Sequence, residues 1–315
     1  MDKLEPILTL MKLPGVGPVR LRRAISVLSE AQMPIEEAFS ESGRRLLTTM
    51  GLSPSSPQSM IGSVADQLRR DEVRCFVAPF HDLAITDFAR RNLPPVLFAR
   101  GPADLMTVPS VGFCGSRSAT ERGLAVAFDI AEQVARHGLN VVSGGAKGVD
   151  ITAHKTALSC GGATTVVLAE GILQYRMRQE LRDVFDPART LLVSEFFPDD
   201  RWIAGRAMQR NRTICSLSRA LVLIEARSTG GTFAAGEAAL GMGLPLFTAD
   251  YSAQEESNDG NRILLERGAL RLRQSRATGR ANLTQLLELA RREPIGDGPR
   301  TRPILVSEQQ DLFPR

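Results

Sequence analysis

Between Ser110 and Asp250 short apolar runs alternate with segments of helical period, and this alternation limits the fold more than any other feature of the chain. The runs are 111–114, 139–142, 163–169, 190–193, 220–224 and 244–248, each of strand length. Strands separated by crossover helices make βαβ units, so the expected class is α/β with a mostly parallel sheet. In the first crossover Leu124, Ala127, Phe128, Ala131, Val134 and Ala135 fall at i, i+3, i+4, i+7, i+10 and i+11, which predicts one helix face packed on the sheet.

The flanking sequence divides the rest. From Met1 to about Gly51 the pattern is helical and gives way to the Ser/Pro-rich stretch Ser53–Pro57, so a small helical N-terminal domain is expected over residues 1–58. Met60–Arg70 reads as helix and 75–78 as a short apolar piece. Asn92–Gly101 reads as a strand leading into the main domain, because Pro94 and Pro95 exclude helix. The main domain is expected over 59–275, a C-terminal helix and linker over 276–298, and a flexible tail over 299–315 after the Pro/Gly-rich run Pro294–Pro299.

With 315 residues, 43% hydrophobic and 23% charged, the chain can bury a sizeable core, which excludes disordered and fibrous classes. Its apolar runs fall far short of the roughly eighteen residues of a membrane span and no basic-then-apolar leader opens it, so a soluble cytoplasmic protein without membrane contact is expected. Cys75, Cys114, Cys160 and Cys215 form no Cys-x-x-Cys pair and have only His81, His137 and His154 to help them, so neither a disulfide framework nor a metal site is expected. The formal net charge is +4. That value and a pI near 9.1 are compatible with a phosphate-bearing partner where basic residues cluster.

Several of the runs end in glycine or small polar residues, and in a parallel sheet those ends share the edge where open α/β folds bind ligands. Gly115-Ser116-Arg117 reads as opening a helix, with backbone amides, the Ser116 hydroxyl and Arg117 available to a phosphate. An ordinary capped turn is the alternative. Ser143-Gly144-Gly145-Ala-Lys147-Gly-Val-Asp150 offers a second turn of amides with Lys147 as a point charge. Asp150 and His154 have the i, i+4 spacing of an acid/base pair, but a capping Asp and a satisfied internal His are the preferred reading, and no catalytic residue is assigned. Near the N-terminus, Leu13-Pro-Gly15-Val-Gly17-Pro-Val-Arg20 and the residues to Ile25 resemble a helix-hairpin-helix element, as in small SAM-like helical units. Its glycines permit a tight turn against a DNA phosphate, with Arg20, Arg22 and Arg23 beside it. A connector packed on the main domain without DNA contact is the alternative.

Taken in order, these pieces resemble the DNA-processing protein A (DprA/Smf) family from residue 5 to about 273. The resemblance rests on Pro94–Gly101, Gly115-Ser-Arg117, Ser143–His154 with Ala157-Leu158 and Gly161-Gly162, Ser194-Glu195, Arg210-Asn-Arg212 with Leu217-Ser218, and Gly260-Asn261 through Gly268-Ala269. It implies an extended Rossmann-like domain that binds single-stranded DNA, forms a homodimer and helps load the RecA recombinase in DNA uptake and recombination, with no catalytic turnover and no cofactor. Carried over by position, the DNA contacts are Ser116, Arg117, Gly145, Lys147, Arg210 and Arg212; Gly115, Ser143, Gly144, Asn211, Gly230, Gly231 and Thr232 are further phosphate-binding candidates, with Asn211 read mainly as shaping its turn. Gly15, Gly17, Arg20 and Arg23 are candidates for a duplex contact.

The departures from the family pattern are local. Its usual Tyr-Pro appears as Tyr175-Arg176, its Phe-Pro before Arg-Asn-Arg as Ala207-Met208, and its Ser-Gly-Ser-Leu segment as Thr229-Gly-Gly-Thr232. Gly230-Gly-Thr232 with Glu237 partly resembles the motif of lysine-decarboxylase-like phosphoribohydrolases at a different spacing, which keeps open a nucleotide-binding or nucleoside-monophosphate-cleaving enzyme or sensor as the rival reading. With 13 Phe, two Tyr and one Trp the chain has few aromatics, so phosphate contact is the expected source of affinity. Phe196, Phe197 and Trp202 are read as buried over the sheet edge in preference to stacking on bases. Finally, Gln309-Gln-Asp311-Leu312-Phe313 resembles the peptide by which bacterial DNA-metabolism proteins dock on the replication sliding clamp, with Leu312 and Phe313 filling an apolar pocket.

Overall fold

The computed structural model describes residues 3–53, 58–250 and 258–292. Four helices come first: α1 (Leu4–Lys12), α2 (Pro18–Glu30), α3 (Glu41–Thr49) and α4 (Gln58–Arg70). Pro18 at the first turn of α2 costs no hydrogen bond, and Ser40 caps α3 by accepting from the Gly43 amide.

Among the described residues one sheet follows, of nine strands: β1 (Arg74–Val77), β2 (Val96–Arg100), β3 (Ser110–Gly115), β4 (Asn140–Ser143), β5 (Thr164–Val167), β6 (Thr190–Ser194), β7 (Ala220–Ile224), β8 (Leu246–Ala249) and β9 (Leu270–Leu272). Their order is β1-β2-β6-β5-β4-β3-β7-β8-β9. From β6 to β9 all neighbours are parallel, whereas β1 and β2 add an antiparallel edge. All six expected runs are strands, and the fold is the mostly parallel, Rossmann-like α/β sheet. Strand order reverses between β3 and β7, the switch point at which such sheets open a crevice.

The parallel strands are buried on both faces, which is why they read as unbroken apolar runs. One face is covered by α5 (Asp87–Asn92), α8 (Ala204–Ser216), α9 (Gly231–Gly241) and α10 (Asp259–Glu266) over Cys114, Val142, Val167, Leu191, Leu221 and Leu223. The other face is shared. Over β3, β4 and β7 lie α6 (Glu121–Arg136), α7 (Val149–Ser159) and α11 (Thr284–Arg291), whereas Val166, Leu192 and Phe98 are covered by the N-terminal helices. The helical unit is therefore one side of the main core. α4, on the main-domain side of the expected boundary at residue 58, packs against α1.

In α6 the buried seam is Gly123, Ala127, Ile130, Ala131, Val134 and Ala135, and Phe128 is 51% exposed. Phe128 was expected on that face. Ile130 takes the place instead, because i, i+4, i+7 and i+11 from Gly123 define the stripe and Phe128 falls on its flank.

Candidate nucleic-acid interface

β3, β4 and β5 end side by side, and the segments leaving them enclose a cleft of about 830 Å³. Two of its turns interlock. Gly148 has φ +80°, and a Cβ there would lie 2.4 Å from the Ser116 carbonyl oxygen, while the Val149 amide donates to that oxygen at 3.4 Å. This packing fixes Arg117 and Lys147, both exposed and both lining the cleft, relative to each other. Arg210 reaches in from α8 and lies flat on Gly144, where a Cβ would sit 1.6 Å from Nη1, so only glycine admits the guanidinium. Arg210 is buried, 3.7 Å from the Asp150 carboxylate, which also accepts from the Ala146 amide at 3.3 Å. Burial pushes the Asp150 carboxyl up, and Arg210 opposes the shift.

Beneath the β4 turn His154 is fully buried between the Gly144 carbonyl, 2.7 Å from Nε2, and the Thr164 hydroxyl, 2.6 Å from Nδ1. A carbonyl only accepts, so Nε2 carries the ring proton and donates it to Gly144, while the Thr164 hydroxyl beside Nδ1 donates to the Val141 carbonyl at 2.8 Å. Burial lowers the imidazole pKa to about 4. The ring is a neutral strut for the turn that carries Lys147, and Asp150 and His154 are each engaged by other partners.

The remaining wall is the segment after β5. Arg176 and Arg178 are exposed there, and Arg178 Nε donates to the Gly145 carbonyl at 3.1 Å, closing this wall onto the β4 turn. Tyr175 is half-buried beside them, and Val166, Leu168 and Ala169 supply an apolar lining. At the mouth the Arg117 guanidinium lies 5.7 Å from the Trp202 ring centroid, a cation–π pair whose indole is 49% exposed. Phe196 and Phe197 are buried as expected, but Trp202 is a solvent-facing platform. Parallel strands deliver their ends to one edge, and that rule extends from the β3 and β4 turns to the segment after β5. Applied there, it points to the segment after β5 as a whole, but not to which of its side chains return to the edge.

The structure thus brings Gly145, Arg117, Lys147 and Arg210 to one cleft, with Gly115 and Ser116 at its margin. Ser143 is fully buried, its hydroxyl donating to the Phe113 carbonyl at 2.7 Å, so it shapes the floor. Arg212 is exposed on α8 and does not line the cleft. Gly230, Gly231 and Thr232 start α9 one strand away, and Asn211 Nδ2 donates to the Gly231 carbonyl at 3.1 Å, the turn-shaping role expected of it. In the N-terminal turn Gly15 adopts φ +73°, and Gly17 lines a crevice of about 240 Å³ against Pro94, Pro95 and Phe196. Arg22 donates to the Leu93 carbonyl, so the turn is docked on the main domain, with Arg20 and Arg23 left exposed. Gln309, Asp311, Leu312 and Phe313, with the run Pro294–Pro299, lie outside the described residues.

One expectation is corrected at the switch point. Gly115-Ser116-Arg117 does not open a helix, because α6 begins at Glu121 with Thr120 as its cap. The site where a dinucleotide phosphate would meet that helix is taken by the Glu225 carboxylate, which is buried and accepts from the Thr120 amide at 2.7 Å and from the Thr120 hydroxyl. Glu225 holds φ +51°, an uncommon conformation for a residue other than glycine, to place that carboxylate. An internal anion replaces the external one.

Residues 84–279 match the family described as DNA recombination-mediator protein A. The chain belongs to that family. The family's curated members include the DNA processing protein DprA of Streptococcus pneumoniae, 32% identical over 180 residues that make up 56% of this chain and 63% of the relative. Protein Smf of Escherichia coli is 29% identical over 190 residues, covering 60% of this chain and 50% of that protein. The chain thus matches between half and two thirds of these relatives' length. Among solved structures, DprA of S. pneumoniae aligns at TM-score 0.68 with 21% identity over 86% of this chain and 95% of that one. DNA processing protein A from Helicobacter pylori, studied for its single-stranded DNA binding mode, aligns at TM-score 0.54 with 24% identity over 69% of this chain and 94% of that one. Both show the shared fold. Among the described residues no helix is long and apolar enough to cross a membrane, and no three His, Cys, Asp or Glu side chains gather to hold a metal ion.

Proposed function

We propose that this chain binds single-stranded DNA along the cleft at the ends of β3, β4 and β5. One observation carries the reading: four exposed cations, Arg117, Lys147, Arg176 and Arg178, converge from three separate chain segments around one trough. Spaced cations suit successive phosphates, and the half-exposed Trp202 suits an unstacked base. A duplex buries its bases and offers nothing to that indole. Single strands are therefore the favoured substrate, with little turnover chemistry to be expected where Asp150 and His154 are already engaged.

The rival nucleotide-cleaving reading has less support, because its acid is already engaged. Glu237 is exposed on α9 and paired with Arg267. Family membership supports the further steps in this proposal, self-association and transfer of the strand to a RecA recombinase. The tail peptide adds docking on a sliding clamp, and undiminished clamp affinity of the 300–315 peptide after Leu312→Ala plus Phe313→Ala would remove that part.

The test is fluorescence anisotropy of a labelled oligo-dT titrated with protein at several salt concentrations, with duplex and mononucleotide competitors. Four phosphate contacts predict a slope of log K against log salt of about −3, with weak competition by both competitors. A salt-independent affinity, or equal competition by a mononucleotide, would overturn the proposal.

A further inference from the structure

Glu170 is out of place in a phosphate trough. It stands at the end of the β5 run, partly buried among the cleft-lining residues, with Arg117, Lys147, Arg176, Arg178 and Arg210 around the same cavity and Glu180 exposed at its mouth. Its backbone is pinned, since Ser194 Oγ donates to the Glu170 carbonyl at 2.7 Å. Its carboxylate makes no salt bridge to any of these cations among the described residues; burial pushes its pKa up, and the field of Arg210 together with hydrogen bonds from the Ala169 and Glu170 backbone amides acts against that, leaving further lone pairs of the carboxylate for a ligand. Tyr175 is close enough that Glu170, after burial itself, raises the phenol pKa. A carboxylate beside a half-buried ring, inside a cavity with apolar lining, is poorly suited to a phosphate and well suited to the edge of a base.

The chemistry of the carboxylate selects the base. It offers two acceptors and no donor. Adenine and cytosine present one amino group next to a ring-nitrogen acceptor, and thymine presents one N–H between two carbonyls. Guanine alone presents two adjacent donors, N1–H and the N2 amino group, and a duplex hides that edge. We propose that the cleft reads an unpaired guanine, the Glu170 carboxylate accepting from N1–H and from the N2 amino group while the surrounding cations hold the flanking phosphates. This rests on the strand-binding reading above and names the base that the same site prefers.

The experiment compares three strands on the full chain: oligo-dT, oligo-dT carrying spaced guanines, and the same strand with hypoxanthine in place of guanine. Guanine is expected to tighten binding about tenfold over oligo-dT, and hypoxanthine, lacking the N2 amino group, to forfeit most of the gain. Glu170→Gln is expected to bind oligo-dT about twofold tighter, one negative charge having left the trough, and to lose the guanine preference. Its retained oligo-dT binding doubles as the check that it folds. Equal affinity for all three strands in the parent chain, or a guanine preference intact in Glu170→Gln, overturns the proposal while oligo-dT binding leaves the function standing. Failure to bind oligo-dT overturns the function itself. Guanosine monophosphate competing as well as the guanine strand would assign the pocket to a free nucleotide and overturn its reading as part of a strand site.

Discussion

The crevice at the β3/β7 switch point and the cleft over β3, β4 and β5 are neighbours on one sheet edge, yet only the second is open to an anion. At the switch point the chain supplies its own carboxylate, Glu225, to the start of α6. One strand over, four exposed cations surround a cavity whose floor cation, Arg210, is already matched by Asp150. The lesson is that the sheet fixes where ligand sites can arise, and a single buried acid can close one of two adjacent positions while leaving the other open.

The comparison can be broken or sharpened at several points. The largest effect is expected beneath the cleft. His154 is held at a pKa of about 4, below its unfolded value, so the unfolded chain binds the extra proton between roughly pH 6.5 and 4. Stability is full above that window and falls by about 3 kcal/mol as pH drops through it. Asp150, Glu170 and Glu195, whose carboxyls burial pushes up, act in the opposite sense at its acid end. Urea unfolding at pH 7 and pH 4.5 of the parent and of His154→Gln isolates the histidine, and the variant should lose most of the fall in stability towards pH 4.5. Next, Arg117→Ala with Lys147→Ala should weaken oligo-dT binding about a hundredfold at moderate salt. The same pair should make the salt slope less negative by about 1.4.

At the switch point Glu225→Ala should cost about 2 kcal/mol of stability, seen as a lower thermal midpoint that inorganic phosphate partly restores. Strand affinity should stay within about twofold, and a large gain in affinity on removing this carboxylate would move the binding site to the switch point. The smallest effect is expected at the mouth, where Trp202→Ala should weaken the strand by about tenfold or less, in the same proportion at low and high salt.

Most of the sheet was legible because strands buried on both faces leave continuous apolar runs, from 111–114 to 244–248. β9 was not, since its three residues Leu270–Leu272 lie at the sheet edge with a burial pattern that mixes exposed and buried. Arg117 and Lys147 could be named because each follows a strand end within a few residues. Arg176 and Arg178 could not, because they lie nine and eleven positions past Val167, where the path of the chain rather than its pattern decides what returns to the edge. Glu225 left no local sign: its partner Thr120 is 105 residues away, and only the folded sheet brings the end of β7 under α6.

Photocrosslinking of a single strand carrying 5-iodouracil, mapped by mass spectrometry, tests the central claim most directly. Cross-links at Trp202 and within 174–180, with none within 225–232, are predicted. Cross-links confined to 225–232 would place the strand at the switch point and contradict the account.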